Sequence, residues 1–130
     1  MKQDLQSSSA TIDILLVDDD SELRRAMVDL LASDDYTAAG VANGQEALEW
    51  LGRAEHPPRL ILLDLMMPVM DGWQFRKEQL DDPSLASIPV AVLSARGNAP
   101  LDDGVEVLQK PIRPQLLLEF VARYCRKIAT

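Results

Sequence analysis

Ile12-Asp13-Ile14-Leu15-Leu16-Val17-Asp18-Asp19-Asp20 is the stretch that decides the fold. From Ile14 to Val17 it is apolar without a break, and it then stops at three consecutive acids. A short apolar run that does not alternate suits a strand covered on both faces, as in a parallel sheet. Leu60-Ile61-Leu62-Leu63 repeats the pattern and also stops at an acid, Asp64. Val90-Ala91-Val92-Leu93 is another such run, Val105-Glu106-Val107-Leu108 a less continuous one, and Thr37 to Val41 a weaker candidate between the first two.

Helical patterns fill the gaps. After Ser21, the residues Leu23, Ala26, Met27, Leu30 and Leu31 form one apolar stripe at helical spacing. Asn43 is placed to cap a helix carrying Ala47, Leu48 and Leu51. A third helix is predicted from Asp71-Gly72 through Trp73 and Phe75 to about Leu80, before Pro83. The last starts near Pro114 and buries Leu117, Phe120, Val121 and Tyr124. Between Leu93 and Val105 the chain has two glycines, a proline and little periodicity, which predicts a loop or a stunted helix. Strict alternation of strands and helices points to an α/β fold with a doubly wound parallel sheet.

At 130 residues, 47% hydrophobic and 26% charged, the chain suits one globular domain. Residues 1–10 are polar and read as a flexible N-terminal tail, leaving 11–130 as the domain. A formal charge of −8 repels nucleic acid and anionic membranes, so neither is an expected partner. Cys125 is the only cysteine, which excludes an internal disulfide and suits a cytoplasmic location. No signal peptide or membrane span is evident.

In an open parallel sheet, ligands sit at the carboxyl ends of the strands, where the strand order reverses. Asp18, Asp19 and Asp20 end the first strand and Asp64 the third, so neighbouring strands would bring three or four carboxylates together. Two like charges ~4 Å apart cost about 4 kcal/mol at an effective dielectric near 20. Such a site holds either a proton or a cation, and hard oxygen donors in small number favour Mg²⁺. Ser94 at the end of the fourth strand adds a hydroxyl, and Lys110 at the end of the fifth adds a mobile positive charge. Together they supply what phosphoryl transfer needs: nucleophile, metal, hydrogen-bond donor and counter-charge.

Five separated motifs, Leu16-Val17-Asp18-Asp19-Asp20, Leu62-Leu63-Asp64-Leu65-Met66-Met67-Pro68, Met70-Asp71-Gly72, Leu93-Ser94-Ala95 and Lys110-Pro111, resemble those of response regulator receiver domains, the family of the chemotaxis response regulator. The resemblance runs from about Ile12 to Lys127. It implies a flavodoxin-like, five-stranded sheet of order 2-1-3-4-5 with helices on both faces. It makes Asp64 the phosphoacceptor in two-component signalling. Asp19 would bind Mg²⁺ directly, with Asp18 acting through water and the Met66 backbone carbonyl as a further ligand. Ser94 and Lys110 would meet the phosphoryl group, and Lys110-Pro111 would be cis. The donor would be a sensor histidine kinase or a phosphotransfer protein, and the recipient an unknown downstream protein. A stand-alone, monomeric or weakly dimeric switch is expected, one that catalyses only its own phosphorylation and dephosphorylation. Met66 and Arg96 would flank the path of the hydrolytic water and slow it. Two departures stand out: Ser94 to Lys110 is shorter than in the family, which truncates or removes the fourth helix, and Val107 replaces the usual switching aromatic.

Plainer readings hold elsewhere. Asp20 suits a helix cap, the methionines Met66, Met67 and Met70 gap-filling, His56 exposure, and Cys125 a structural or surface role. Basic Arg113, Arg123, Arg126 and Lys127 are explained by a helix end, or more sharply by an acidic partner. Two other functions compete. One is a receiver-shaped docking module that needs no phosphate. The other is a phosphatase resembling the haloacid dehalogenase superfamily, whose acidic motif Asp18-Asp19-Asp20 mimics but which leaves Asp64, Met67-Pro68 and Asp71-Gly72 without a role.

Overall fold

A computed structural model of the chain describes residues 11–95 and 105–125. Strands β1 (Ile14–Val17), β2 (Ala38–Val41), β3 (Leu60–Asp64), β4 (Val90–Ser94) and β5 (Glu106–Gln109) alternate with helices α1 (Ser21–Ser33), α2 (Gly44–Arg53), α3 (Gly72–Asp81) and α4 (Pro114–Tyr124). All pairs are parallel, in the order β2-β1-β3-β4-β5. This is the doubly wound, flavodoxin-like sheet expected from the alternation and the resemblance. The expected loop or stunted helix after β4 falls on 96–104 and, like the tail 1–10, Arg96, Arg126 and Lys127, lies outside the described residues.

Unbroken apolar runs follow from covering both faces. Ile14 and Leu16 of β1, with Leu60 and Leu62 of β3, pack beneath α1 and α4 with Met27, Leu31, Leu117, Phe120 and Val121. Leu15 and Val17, with Ile61 and Leu63, pack beneath α2 and α3 with Ala47, Leu51 and Phe75. Each such Leu or Ile withdrawn from water contributes about 1.5–3 kcal/mol, so the central strands anchor the domain. β2 reads weakly because it is an edge strand whose residues are only partly buried.

Caps set the helix starts. Asp20 accepts from the amides of Glu22 and Leu23, Asn43 from Glu46, and Asp71 from Gln74. One expected helix face is narrower than read: Ala26 is exposed, because α1 lays only part of its apolar stripe on the sheet. In α3, Phe75 is buried while Trp73 and Leu80 are exposed. Tyr124 is half-buried, its ring 5.0 Å from that of Phe120 and its hydroxyl donating to Glu106 at 2.8 Å. Cys125 is buried and His56 exposed. Among the described residues no helix is long and apolar enough to cross a membrane.

Candidate functional site

β1 and β3 lie side by side, with Val17 opposite Leu63, so the acids that follow them share one rim of the sheet. Asp18 is fully buried; its amide donates to the Val41 carbonyl at 3.1 Å, which carries the strand pairing one residue past β1. Asp64, the last residue of β3, is also buried, whereas Asp19 is exposed. One carboxylate oxygen from each of Asp18, Asp19 and Asp64 lies within 4.8 Å of the others. Oxygens around an octahedral Mg²⁺ at ~2.1 Å stand ~3–4 Å apart, so small side-chain rotations would close this set on such an ion. Asp20 is not in the group; it caps α1.

Lys110 enters from the far side, one residue past β5, where its amide donates to the Ser94 carbonyl at 2.8 Å. Its Nζ donates to Asp18 Oδ2 at 2.8 Å and stands 3.8 Å from Asp64 Oδ2. Burial by itself lowers the Lys110 pKa, but the bond to Asp18 and the charges of Asp18, Asp64 and Asp20 outweigh it, and the net shift is upward. The Asp64 carboxyl is also held above its ordinary range, first by burial and then by the charge of Asp18, with Lys110 and the Met66 amide opposing. Among the described residues, two buried carboxylates thus share one ammonium. A second positive charge would relieve the deficit, and an all-oxygen donor set suits a hard divalent ion.

Beside this cluster opens a cleft of about 380 Å³. Asp64, Ser94 and Lys110 form its polar wall, and Leu65, Met66, Trp73 and Ala95 its apolar one. Ser94 ends β4 and is buried. The Met66 amide donates to Asp64 Oδ1 at 3.3 Å, while its side chain is 70% exposed. Gap-filling packing therefore holds for Met67 and Met70, which contact the core, and not for Met66, which lies at the cleft. Asp71-Gly72 has a steric reason: a Cβ on Gly72 would come within 2.7 Å of the Asp64 carbonyl oxygen. Only glycine lets the start of α3 press against the end of β3, where the Gly72 amide donates to the Leu65 carbonyl at 2.9 Å. Lys110-Pro111 is cis.

Two participants are missing from the sequence reading. Trp73 is read only as a residue of the third helix but forms part of the cleft wall; its place directly after Gly72 was the available signal. Arg24, one turn into α1, donates from its guanidinium to the Asp18 carbonyl at 2.8 Å, and no spacing rule marks that contact.

Residues 14–122 match the model of the response regulator receiver domain. The chain belongs to the response regulator receiver family. The match takes in all five strands, including the Asp64 and Asp71-Gly72 segments that the phosphatase reading leaves without a role. The chain is 33% identical over 121 residues to the two-component response regulator ORR5 of Oryza sativa subsp. japonica, covering 88% of this chain and 87% of that one. It is 39% identical over 87 residues to the response regulator Rre1 of a Synechocystis strain, covering 66% of this chain but only 37% of that longer protein. Among solved structures, it superposes on the receiver domain of the sensor histidine kinase PA1611 from Pseudomonas aeruginosa PAO1, which holds a magnesium ion in its active-site cleft. The TM-score is 0.78 at 26% identity, covering 91% of this chain and all of that one. Receiver domains are phosphoacceptor switches of two-component signalling, supplied by histidine kinases, and this chain is one of them.

Proposed function

We propose that Asp64 takes the phosphoryl group and that Asp18, Asp19, Asp64 and the Met66 carbonyl hold Mg²⁺ beside it, Asp18 through water. The observation that carries this reading is the convergence of three carboxylate oxygens within 4.8 Å, with Lys110 Nζ 2.8 Å from Asp18. When bound, Mg²⁺ supplies positive charge to the phosphoryl oxygens and offsets the crowded carboxylates. The rest falls to the chain. Asp64 reacts as the carboxylate: one oxygen forms the new O–P bond while the P–N bond of a phosphohistidine breaks and its electron pair returns to the imidazole nitrogen. Lys110 keeps its charge at neutral pH and pairs with a phosphoryl oxygen; the Ser94 hydroxyl donates to another. Leu65, Met66 and Trp73 keep that side of the cleft apolar and limit water.

The phosphoryl group adds close to two negative charges at the sheet rim. Lys110, which bonds Asp18 before transfer, has a new and stronger anion to meet, and that exchange of partners is the switch. The donor is a sensor histidine kinase or phosphotransfer protein and the recipient a downstream protein, with no role for nucleic acid or membrane. The switch acts in the cytoplasm as a monomer or weak dimer, its receiver unit is 11–130, and it catalyses nothing beyond its own phosphorylation and dephosphorylation.

Mg²⁺ with beryllofluoride, a mimic of the phosphoryl group, tests the reading. In the wild type the amide resonances of Asp64, Ser94 and Lys110 shift, and in Asp64→Asn they do not. A silent wild-type spectrum would favour the docking module instead.

A further inference from the structure

Asp18 is held at four polar atoms, two in its side chain and two in its backbone. Oδ2 accepts from Lys110, Oδ1 accepts from the Asp20 amide at 2.9 Å, and the amide bonds β2 through Val41. The carbonyl accepts from Arg24 Nη1 at 2.8 Å. That last bond fixes the peptide plane joining Asp18 to Asp19. Asp19 is the exposed member of the carboxylate group, and among the described residues nothing bonds its side chain. Its aim into the cluster therefore depends on the backbone that carries it.

Gly40 of β2 gives the arm of Arg24 its path. A Cβ at position 40 would stand 3.0 Å from Arg24 Cδ and 3.5 Å from Arg24 Cβ and Nε, so the arginine stem lies flat across the bare backbone of the edge strand. We infer that Arg24, seated on Gly40, is a positioning residue for the cation pocket: it locks the Asp18-Asp19 peptide so that the exposed Asp19 carboxylate faces Asp18 and Asp64. The inference rests on the metal reading above. An arginine with its stem supported on one side and its planar head on a carbonyl is well suited to this task, since less freedom is lost per bond formed. Outer partners of metal-ligating groups commonly change affinity by ~10–100-fold when removed.

Arg24→Met keeps the stem and removes the donor, and Gly40→Ala keeps the donor and crowds the stem. Mg²⁺ titration followed by Trp73 fluorescence should show about tenfold weaker binding in Arg24→Met and a smaller loss in Gly40→Ala. Arg24→Lys should recover part of the affinity. In the double variant, Gly40→Ala should add nothing to Arg24→Met. Unchanged affinity in Arg24→Met, or full additivity in the double variant, would overturn the inference. A metal-free readout separates this from the metal reading: amide exchange at Asp19 and Asp20 should quicken in both single variants. Quickened exchange in a protein that binds no Mg²⁺ would sink the metal assignment and leave the clamp standing, and unchanged exchange would sink the clamp.

Discussion

Asp13 and Asp18 stand immediately before and after β1, yet the fold treats them in opposite ways. At the amino end, Asp13 Oδ2 accepts from the amide and hydroxyl of Thr37 at 3.0 and 3.2 Å, and its carbonyl accepts from the amides of Arg59 and Leu60. One residue thereby stitches β1 to both neighbours, and Arg59 stands by at 3.8 Å. At the carboxyl end, Asp18 is buried with Asp64, and among the described residues Lys110 alone pairs with both. The first arrangement satisfies a charge to hold strands together. The second leaves charge in deficit, which costs stability and creates demand for a cation and a phosphoryl group.

Removing one group at each end sharpens the contrast most. Lys110→Met removes the cation bonded to the buried Asp18 and should cost about 3–5 kcal/mol in urea unfolding with chelator present. Mg²⁺ should restore part of that loss, since binding to the folded state alone stabilises it. Asp13→Ala should cost about 1–2 kcal/mol, with no recovery on adding Mg²⁺. Equal responses to Mg²⁺ at the two ends would erase the distinction.

Asp64→Asn tests the deficit from the other side. Burial and the Asp18 charge raise the folded pKa of Asp64 above its ordinary 3.8, so between those two values the folded chain binds more protons than the unfolded one. Wild-type stability without metal should therefore fall as pH climbs through that window, and the penalty persists at neutral pH. Asp64→Asn should remove that slope and gain about 0.5–2 kcal/mol at pH 7. A variant less stable than wild type at neutral pH, or one that keeps the slope, would show that Lys110 already compensates Asp64 fully.

Much of this was legible in the sequence, for identifiable reasons. Unbroken runs such as Ile14–Val17 and Leu60–Leu63 report burial on both faces directly, and acids placed just after them mark one rim of a parallel sheet. Contacts made by long, flexible side chains were not legible. The Lys110–Asp18 bond joins residues 92 apart, and Arg24 reaches a carbonyl with its stem laid against the bare backbone of Gly40. Hydrophobicity also misleads at the rim: Met66 reads as a packing residue and instead forms part of a cleft wall with Trp73, since apolarity does not say whether a residue faces core or site. Ala26 misleads differently, its small side chain fitting the helical stripe but lying past the edge of the sheet's cover.

Backbone strain divides along the same axis and yields the smallest prediction. Asp35, in the connection from α1 to β2 at the amino end, has φ 68°, and Val69, in the loop after β3, has φ 69°. Aspartate tolerates this region because its short polar side chain bonds locally, whereas a β-branched residue there is a steric outlier. Val69 is 83% exposed, so burial of its side chain does not repay the strain. Its turn is instead held by the Met70 amide, which donates to the Pro68 carbonyl at 2.7 Å, a tight positive-φ γ-turn of the strained kind. That turn passes the chain to Met70, whose carbonyl accepts from the Gly44 amide, and on to the Gly72 contact behind Asp64. Val69→Gly should therefore gain roughly 0.5–1 kcal/mol, and Asp35→Gly little or nothing, by thermal or urea unfolding. If both glycines gave the same change, the strain would lie in the turn itself and not in the valine, and the site end would carry no more backbone cost than the other.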